Sequence, residues 1–162
     1  MSDMKKKLNP TQNLEEPMVA YGIVSQTPLV AIIGHQFADV TDLDLLKLAR
    51  KGISKKSLLA LAKQISFTIE EIAAVLHISE RTLQRYTPST LVKTEYADRA
   101  IELARLYERG AEVLGSAQSF NIWMRTPNRA LNNEIPLNLL DTSIGFDLIT
   151  QVLGRLEYGV FS

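Results

Sequence analysis

The sequence predicts an all-α, mainly helical protein: a helix-turn-helix half joined by one long helix to a small helical half. Three observations carry this. First, Thr68 to Tyr86 reads TIEEIAAVLHISERTLQRY, two short amphipathic segments joined by a tight turn. Second, Tyr96, Ala100, Leu103, Ala104, Tyr107, Ala111 and Leu114 recur at spacings of three and four, the repeat of one helix face. Third, Ile144, Leu148, Ile149, Val152, Leu153 and Leu156 repeat that spacing near the end of the chain.

The first stretch is the exception. Residues 1–17 are polar and punctuated by proline, and read as a mobile arm. Residues 18–38 are rich in β-branched side chains. They suit two short extended segments, near 19–25 and 29–33. Such segments could pair with a second copy or cover the chain's own core. Residues 1–40 thus form a first division, of arm and short strands.

Helices follow over residues 41–93, the expected helix-turn-helix domain. Thr41 and Asp44 start one that runs to about Lys51, with Leu43, Leu46 and Leu48 apolar and Gly52 as its stop. Ser54 caps the next, whose core side is Leu58, Leu59, Leu61, Ala62 and Ile65. Thr68 and Glu71 form a T-x-x-E capping box. Ala73 is small where two helices would cross, and Ile78 can plug the turn. His77 stands where glycine is usual, so the turn asks a histidine to take a left-handed conformation. Ser79 caps the second helix, Leu83 and Tyr86 face inward, and Pro88 ends it.

Residues 94–162 form the third division. The long helix starts at Thr90 or Thr94 and ends at Gly115, with Gly110 a weak point and Glu95 one turn from Arg99. Ser116 caps a shorter helix with Phe120, Trp123 and Met124. Residues 126–142, TPNRALNNEIPLNLLDT, read as a structured loop with one helical turn near 127–131. Ser143 or Thr142 starts the last helix, and Gly159 ends it.

Charge is distributed unevenly behind an overall zero. Residues 1–44 hold three lysines and six acids, net −3. Residues 45–93 hold nine Lys and Arg against three acids, net +6, and residues 94–162 six Arg against nine acids, net −3. A basic block around a helix-turn-helix is the footprint of a DNA binder. The second helix would enter the major groove. Ser79, Glu80, Arg81, Thr82, Gln84 and Arg85 then face DNA, with Lys55 and Lys56 as backbone contacts. Arginine suits guanine and glutamine suits adenine. Paired half-sites make a homodimer the expectation.

Other classes find little support. The chain lacks cysteine, a Gly-rich phosphate loop, an H-x-x-x-H pair and a nucleophile elbow. His35 and His77 are isolated, so no catalytic residue, metal or cofactor is expected. Apolar runs are too short for a bilayer, and residues 1–20 lack a leader's apolar core, so the expected location is cytoplasmic, without a membrane partner.

The downstream half carries a more specific signal. Arg99-Ala100 through Leu114-Gly115, then Ala117, Trp123-Met124, Thr126-Pro127-Asn128, Ala130-Leu131, Ile135-Pro136, Leu139-Leu140, Asp141-Thr142, Gly145 and Leu156–Gly159 follow in order. Together they resemble the toxin-binding domain of the Xre/MbcA/ParS antitoxin family, and the preceding helix-turn-helix resembles that family's Xre-type half. The resemblance spans about residues 41–162. One departure is Asn132-Asn133 where the family commonly has a glycine; asparagine tolerates the left-handed turn.

The resemblance implies an antitoxin that neutralises a cognate RES-type, NAD-consuming toxin by covering its active site, and that represses its own operon through operator DNA. The toxin contacts would fall on Arg155, Glu157, Tyr158, Gly159, Val160, Phe161 and Ser162. Trp123 would belong to the core, and Pro127-Asn128 would shape the loop. The alternative is a helix-turn-helix transcription regulator whose C-terminal half binds a ligand or dimerises.

Overall fold

Thr27 opens the first element. The computed structural model describes residues 27–34 and 40–159, which hold eight α-helices and no strand. The expected arm and the segment near 19–25 lie outside these residues. The segment near 29–33 is helical rather than extended: α1 spans Pro28–Ile33. Pro28 has the φ of a first helical residue and no N–H to leave unpaired. The Thr27 hydroxyl accepts from Val30 N, and the free Leu29 amide donates to Glu108 Oε1 at 3.1 Å. Burial of Ile32 and a carboxylate 79 positions away outweigh the β-branched bias of the sequence.

Helix α2, Asp42–Lys51, has a reciprocal capping box between Thr41 and Asp44. The Thr41 hydroxyl donates to the Asp44 carboxylate and holds its pKa below the ordinary value. Its inward face is Leu45, Leu48 and Ala49; the apolar Leu43 and Leu46 point to solvent. Helix α3, Lys55–Gln64, buries Leu58, Leu61 and Ala62.

Helices α4, Ile69–Leu76, and α5, Glu80–Arg85, are the two arms of the turn. Thr68 and Glu71 exchange both capping-box bonds, at 3.1 and 2.9 Å. His77 takes the left-handed conformation (φ 58°, ψ 32°). Ile78 is buried in the angle and donates its amide to Ala73 O. The Ser79 hydroxyl accepts from Thr82 N.

Helix α6, Thr94–Leu114, is the spine of the molecule. α1, α2 and α4 pack on it from one half, α7 (Ala117–Met124) and α8 (Ser143–Glu157) from the other. One hydrophobic core runs through both halves. An aromatic chain crosses it: Phe67 meets Tyr107 edge-on at 5.5 Å, Tyr107 meets Phe120 at 4.8 Å, and Phe120 stacks on Trp123. Burial pushes the Tyr107 phenol pKa well up, and its hydroxyl donates to Asn121 Oδ1. Arg99 does not pair with Glu95. It pairs with Glu102 at 3.0 Å and lies over the Phe146 ring.

Two helical glycines are explained by what crowds them. A Cβ at Gly110 would sit 2.4 Å from the Phe120 ring, so this residue is a packing notch rather than a weak point. A Cβ at Gly145 would sit 1.7 Å from the Leu139 carbonyl oxygen. A ring can shift, whereas that carbonyl belongs to the 3₁₀ turn Pro136–Leu139. Gly145→Ala is expected to destabilise by about 3 kcal/mol or more, and Gly110→Ala by about 1–3. Urea unfolding of both variants checks the order, and a Gly145→Ala midpoint at or above that of Gly110→Ala contradicts it.

The loop between α7 and α8 is ordered by its own polar side chains. Asn128 Oδ1 accepts from Ala130 N, opening the 3₁₀ turn Arg129–Leu131. Asn132 and Asn133 are both left-handed, as the departure from glycine requires. Leu131, Pro136 and Leu140 are buried beneath it.

Arg125, just past α7, clasps the helix-turn-helix half. Its guanidinium donates to both Glu71 oxygens, at 2.5 and 3.1 Å, and to Ser66 O at 3.1 Å. Those bonds hold the Glu71 carboxyl below its ordinary pKa. A carboxyl with a lowered folded pKa stabilises the fold above its unfolded value and loses that contribution as pH falls through the folded one. The thermal-stability advantage of the unmodified chain over Glu71→Gln is therefore expected to be full at pH 7 and to shrink below the ordinary glutamate value of 4.5. An advantage that does not vary with pH contradicts this pairing.

Candidate DNA-facing and partner-facing surfaces

The DNA-facing residues are positioned by α5. Leu83 is buried, so the helix is pinned by one side and Glu80, Arg81, Gln84 and Arg85 stand on the other, all exposed. Thr82 lies at the margin, with its hydroxyl bonded to Ser79 at 2.7 Å. Arg81, Arg85 and Lys56 make no ion pair among the described residues, and neither does Glu80. Two free guanidinium groups on one short helix face are an uncommitted donor set for phosphate or guanine.

Lys55 has a different employment. Its ammonium donates to the Gln84 and Tyr86 carbonyls at 3.2 and 2.8 Å, the end of α5. A cation there satisfies orphan carbonyls and complements the helix dipole. The α3 amides of Lys55 and Lys56 donate to Thr90 O and Pro88 O, fastening α3 to the loop after α5. The cap was not legible in sequence, because Lys55 and Tyr86 are 31 positions apart.

The other candidate surface is the end of α8. Arg155 is exposed and makes no ion pair among the described residues. Glu157 pairs with Arg109 of α6 at 2.9 Å. Tyr158 is 79% exposed, so it does not fold back on the core, and Gly159 is left-handed at φ +67°. Val160, Phe161 and Ser162 lie outside the described residues. Beside this end a groove of 810 Å³ runs between α6 and α8, lined by Ile101, Arg105, Arg109, Thr150, Glu157 and Tyr158. Its two arginines are answered within the chain, Arg105 by Asp42 at 3.3 Å and Arg109 by Glu157. Trp123 is half-buried against Phe120, and Asn128 shapes the loop.

Among the described residues, no group of three or more His, Cys, Asp or Glu side chains is placed to hold a metal. No described helix is long and apolar enough to cross a membrane. The two surfaces lie on different helices, α5 and α8, on either side of α6 in the chain.

Comparison with known proteins places α5 and α8 within two known modules. Residues 44–105 match the antitoxin Xre-like helix-turn-helix domain, and residues 109–159 match the antitoxin Xre/MbcA/ParS C-terminal toxin-binding domain. The mycobacterial cidal antitoxin MbcA of Mycobacterium tuberculosis is 30% identical over 100 residues, 61% of this chain and 87% of that one. The chain belongs to the Xre/MbcA/ParS antitoxin family.

This antitoxin is also 32% identical, over 94 residues, to the antitoxin Xre of Yersinia enterocolitica. That alignment covers 57% of this chain and 64% of the Yersinia protein's length. A crystal structure of the M. tuberculosis MbcT-MbcA toxin-antitoxin complex contains a chain 26% identical to it, with a TM-score of 0.49 over 67% of this chain and 96% of that one. The family assignment agrees with the sequence resemblance. Arg125 and the aromatic chain through Tyr107 were missed, since both depend on contacts between segments far apart in sequence.

Proposed function

We infer that this antitoxin neutralises a cognate RES-type, NAD-consuming toxin by covering its active site with the segment Arg155–Ser162. It represses its own operon through α5, and it acts as a dimer on paired half-sites. One observation carries the reading: the toxin-binding match runs to Gly159, and the last helix leaves Arg155 and Tyr158 exposed, with Arg155 in no ion pair among the described residues. An exposed tyrosine and an unpaired arginine at a chain end are residue types that anchor interfaces. The net charge of −3 over residues 94–162 would favour approach to the electropositive mouth of a nucleotide pocket. The free Arg81 and Arg85 support the operator role.

Co-expression with a candidate RES-domain toxin tests this. Growth is expected to recover when the full chain is present, and the two proteins to purify together. Growth arrest that persists with the antitoxin well expressed overturns the reading.

A further inference from the structure

Gly154 is a helical glycine that nothing among the described residues explains. Unlike Gly110 and Gly145, it is not crowded: a Cβ there would meet only Arg109 Nη2, at 3.7 Å, an ordinary contact. Glycine weakens a helix interior relative to alanine, so an uncrowded one asks for another reason. Its neighbours supply one. Ile144 and Leu148, part of the apolar repeat of α8, are 73% and 41% exposed, while Phe146, Ile149, Val152 and Leu153 take the inward side. Ile144, Leu148, Gln151, Arg155 and Tyr158 follow at spacings of four, three, four and three, a single seam along the outer side of α8. At the helical rise this seam is about 21 Å long.

Resting on the antitoxin reading above, we propose that this seam is the docking ridge for the toxin, and that the terminal segment alone is not the whole interface. The ridge fits a shallow apolar groove that takes Ile144 and Leu148, with a carboxylate opposite Arg155. The toxin's backbone passes close against Gly154. Two features point to the toxin as occupant. The whole of α8 lies within the stretch matched to the toxin-binding domain, and the seam runs without a break into Tyr158 and Gly159. A second copy paired through this face alone falls short on area: a strip about 21 by 10 Å is well below the roughly 800 Å² per partner of a stable complex. A toxin that also grips the terminal segment adds the missing surface.

The test uses the full chain and the purified RES-domain toxin. Ile144→Asp with Leu148→Glu places charge on the ridge, and an acid at 144 suits the first turn of α8. This pair is expected to weaken toxin binding by about a hundredfold or more. Gly154→Ala is expected to raise the melting temperature yet weaken binding by about tenfold, which a merely structural glycine would not do. Leu43→Asp, at an exposed leucine on α2, is the control and is expected to bind within about twofold of the unmodified chain.

Ridge variants that bind as tightly as the unmodified chain overturn the ridge and leave the antitoxin reading intact. Unchanged toxin affinity with an altered mass of the free protein in light scattering assigns the face to a second copy, and also overturns it. If the double variant loses its helical signal, Gly154→Ala decides alone. If the unmodified chain does not bind the toxin, the antitoxin reading fails first.

Discussion

An antitoxin ending at Leu156 is expected to lose toxin neutralisation while it stays folded and keeps its operator affinity. Glu157, Tyr158 and Gly159 are all exposed, and the described core ends at Leu153, with Leu156 half-buried against it. Among the described residues, the side-chain bond lost is Arg109–Glu157, whose partners are 43% and 47% exposed. Such a pair contributes about 0–1 kcal/mol. The helix-turn-helix keeps every contact with α6, and Arg125 keeps Glu71. The missing function would then trace to the missing segment and not to unfolding. With the ridge on α8 still present, some complex should persist, but the active site should no longer be covered. Cell protection and operator binding of the shortened chain, measured side by side, check this. Full protection by the shortened chain contradicts the covering role of the C-terminal segment.

The double substitution Arg81→Ala with Arg85→Ala is expected to cut operator affinity by about a hundredfold or more while sparing neutralisation. Each well-formed arginine contact to a base is worth about 1–3 kcal/mol. Both guanidinium groups are exposed and make no ion pair among the described residues, so their removal breaks no ion pair there. Where they meet phosphate instead, the salt dependence of binding should flatten by about 0.9 in slope per contact. Lys55→Met is expected to behave differently. It removes the cap on Gln84 and Tyr86, costs about 1 kcal/mol of stability, and weakens DNA binding through a frayed α5. Fluorescence anisotropy on operator DNA at several salt concentrations separates the two cases. Unchanged affinity of the double variant contradicts the assignment of α5 to DNA.

Where the sequence succeeded, the physics is local. The boxes at Thr41–Asp44 and Thr68–Glu71 close within one turn, and His77, Asn132 and Asn133 take the left-handed conformation their turns need. Each depends on residues within a few positions, so spacing alone reveals it. The misreadings share a different cause. Pro28–Ile33 has strand-like composition but is a helix because Glu108 and the core receive it. Leu43, Leu46, Ile144 and Leu148 carry the right spacing for a buried face, yet the neighbouring helices meet α2 and α8 on another side. Spacing says that residues share a face; only tertiary packing says which face is covered. The same holds at the surfaces. The free side of α5 was readable from Leu83 and Tyr86, whereas the role of Lys55, the Arg125 clasp and the exposure of the α8 seam were not. The family pattern reached further than periodicity because it includes Gly145, whose reason is the Leu139 carbonyl beside it.

The proposed function places the C-terminal end of this antitoxin over a toxin's NAD site. Titrating the full chain into the purified RES-domain protein while following NAD consumption tests it most directly. The account predicts that consumption falls to background as the antitoxin reaches stoichiometry, and that the chain ending at Leu156 does not produce this fall. A complex that forms fully while NAD consumption continues unchanged would contradict it.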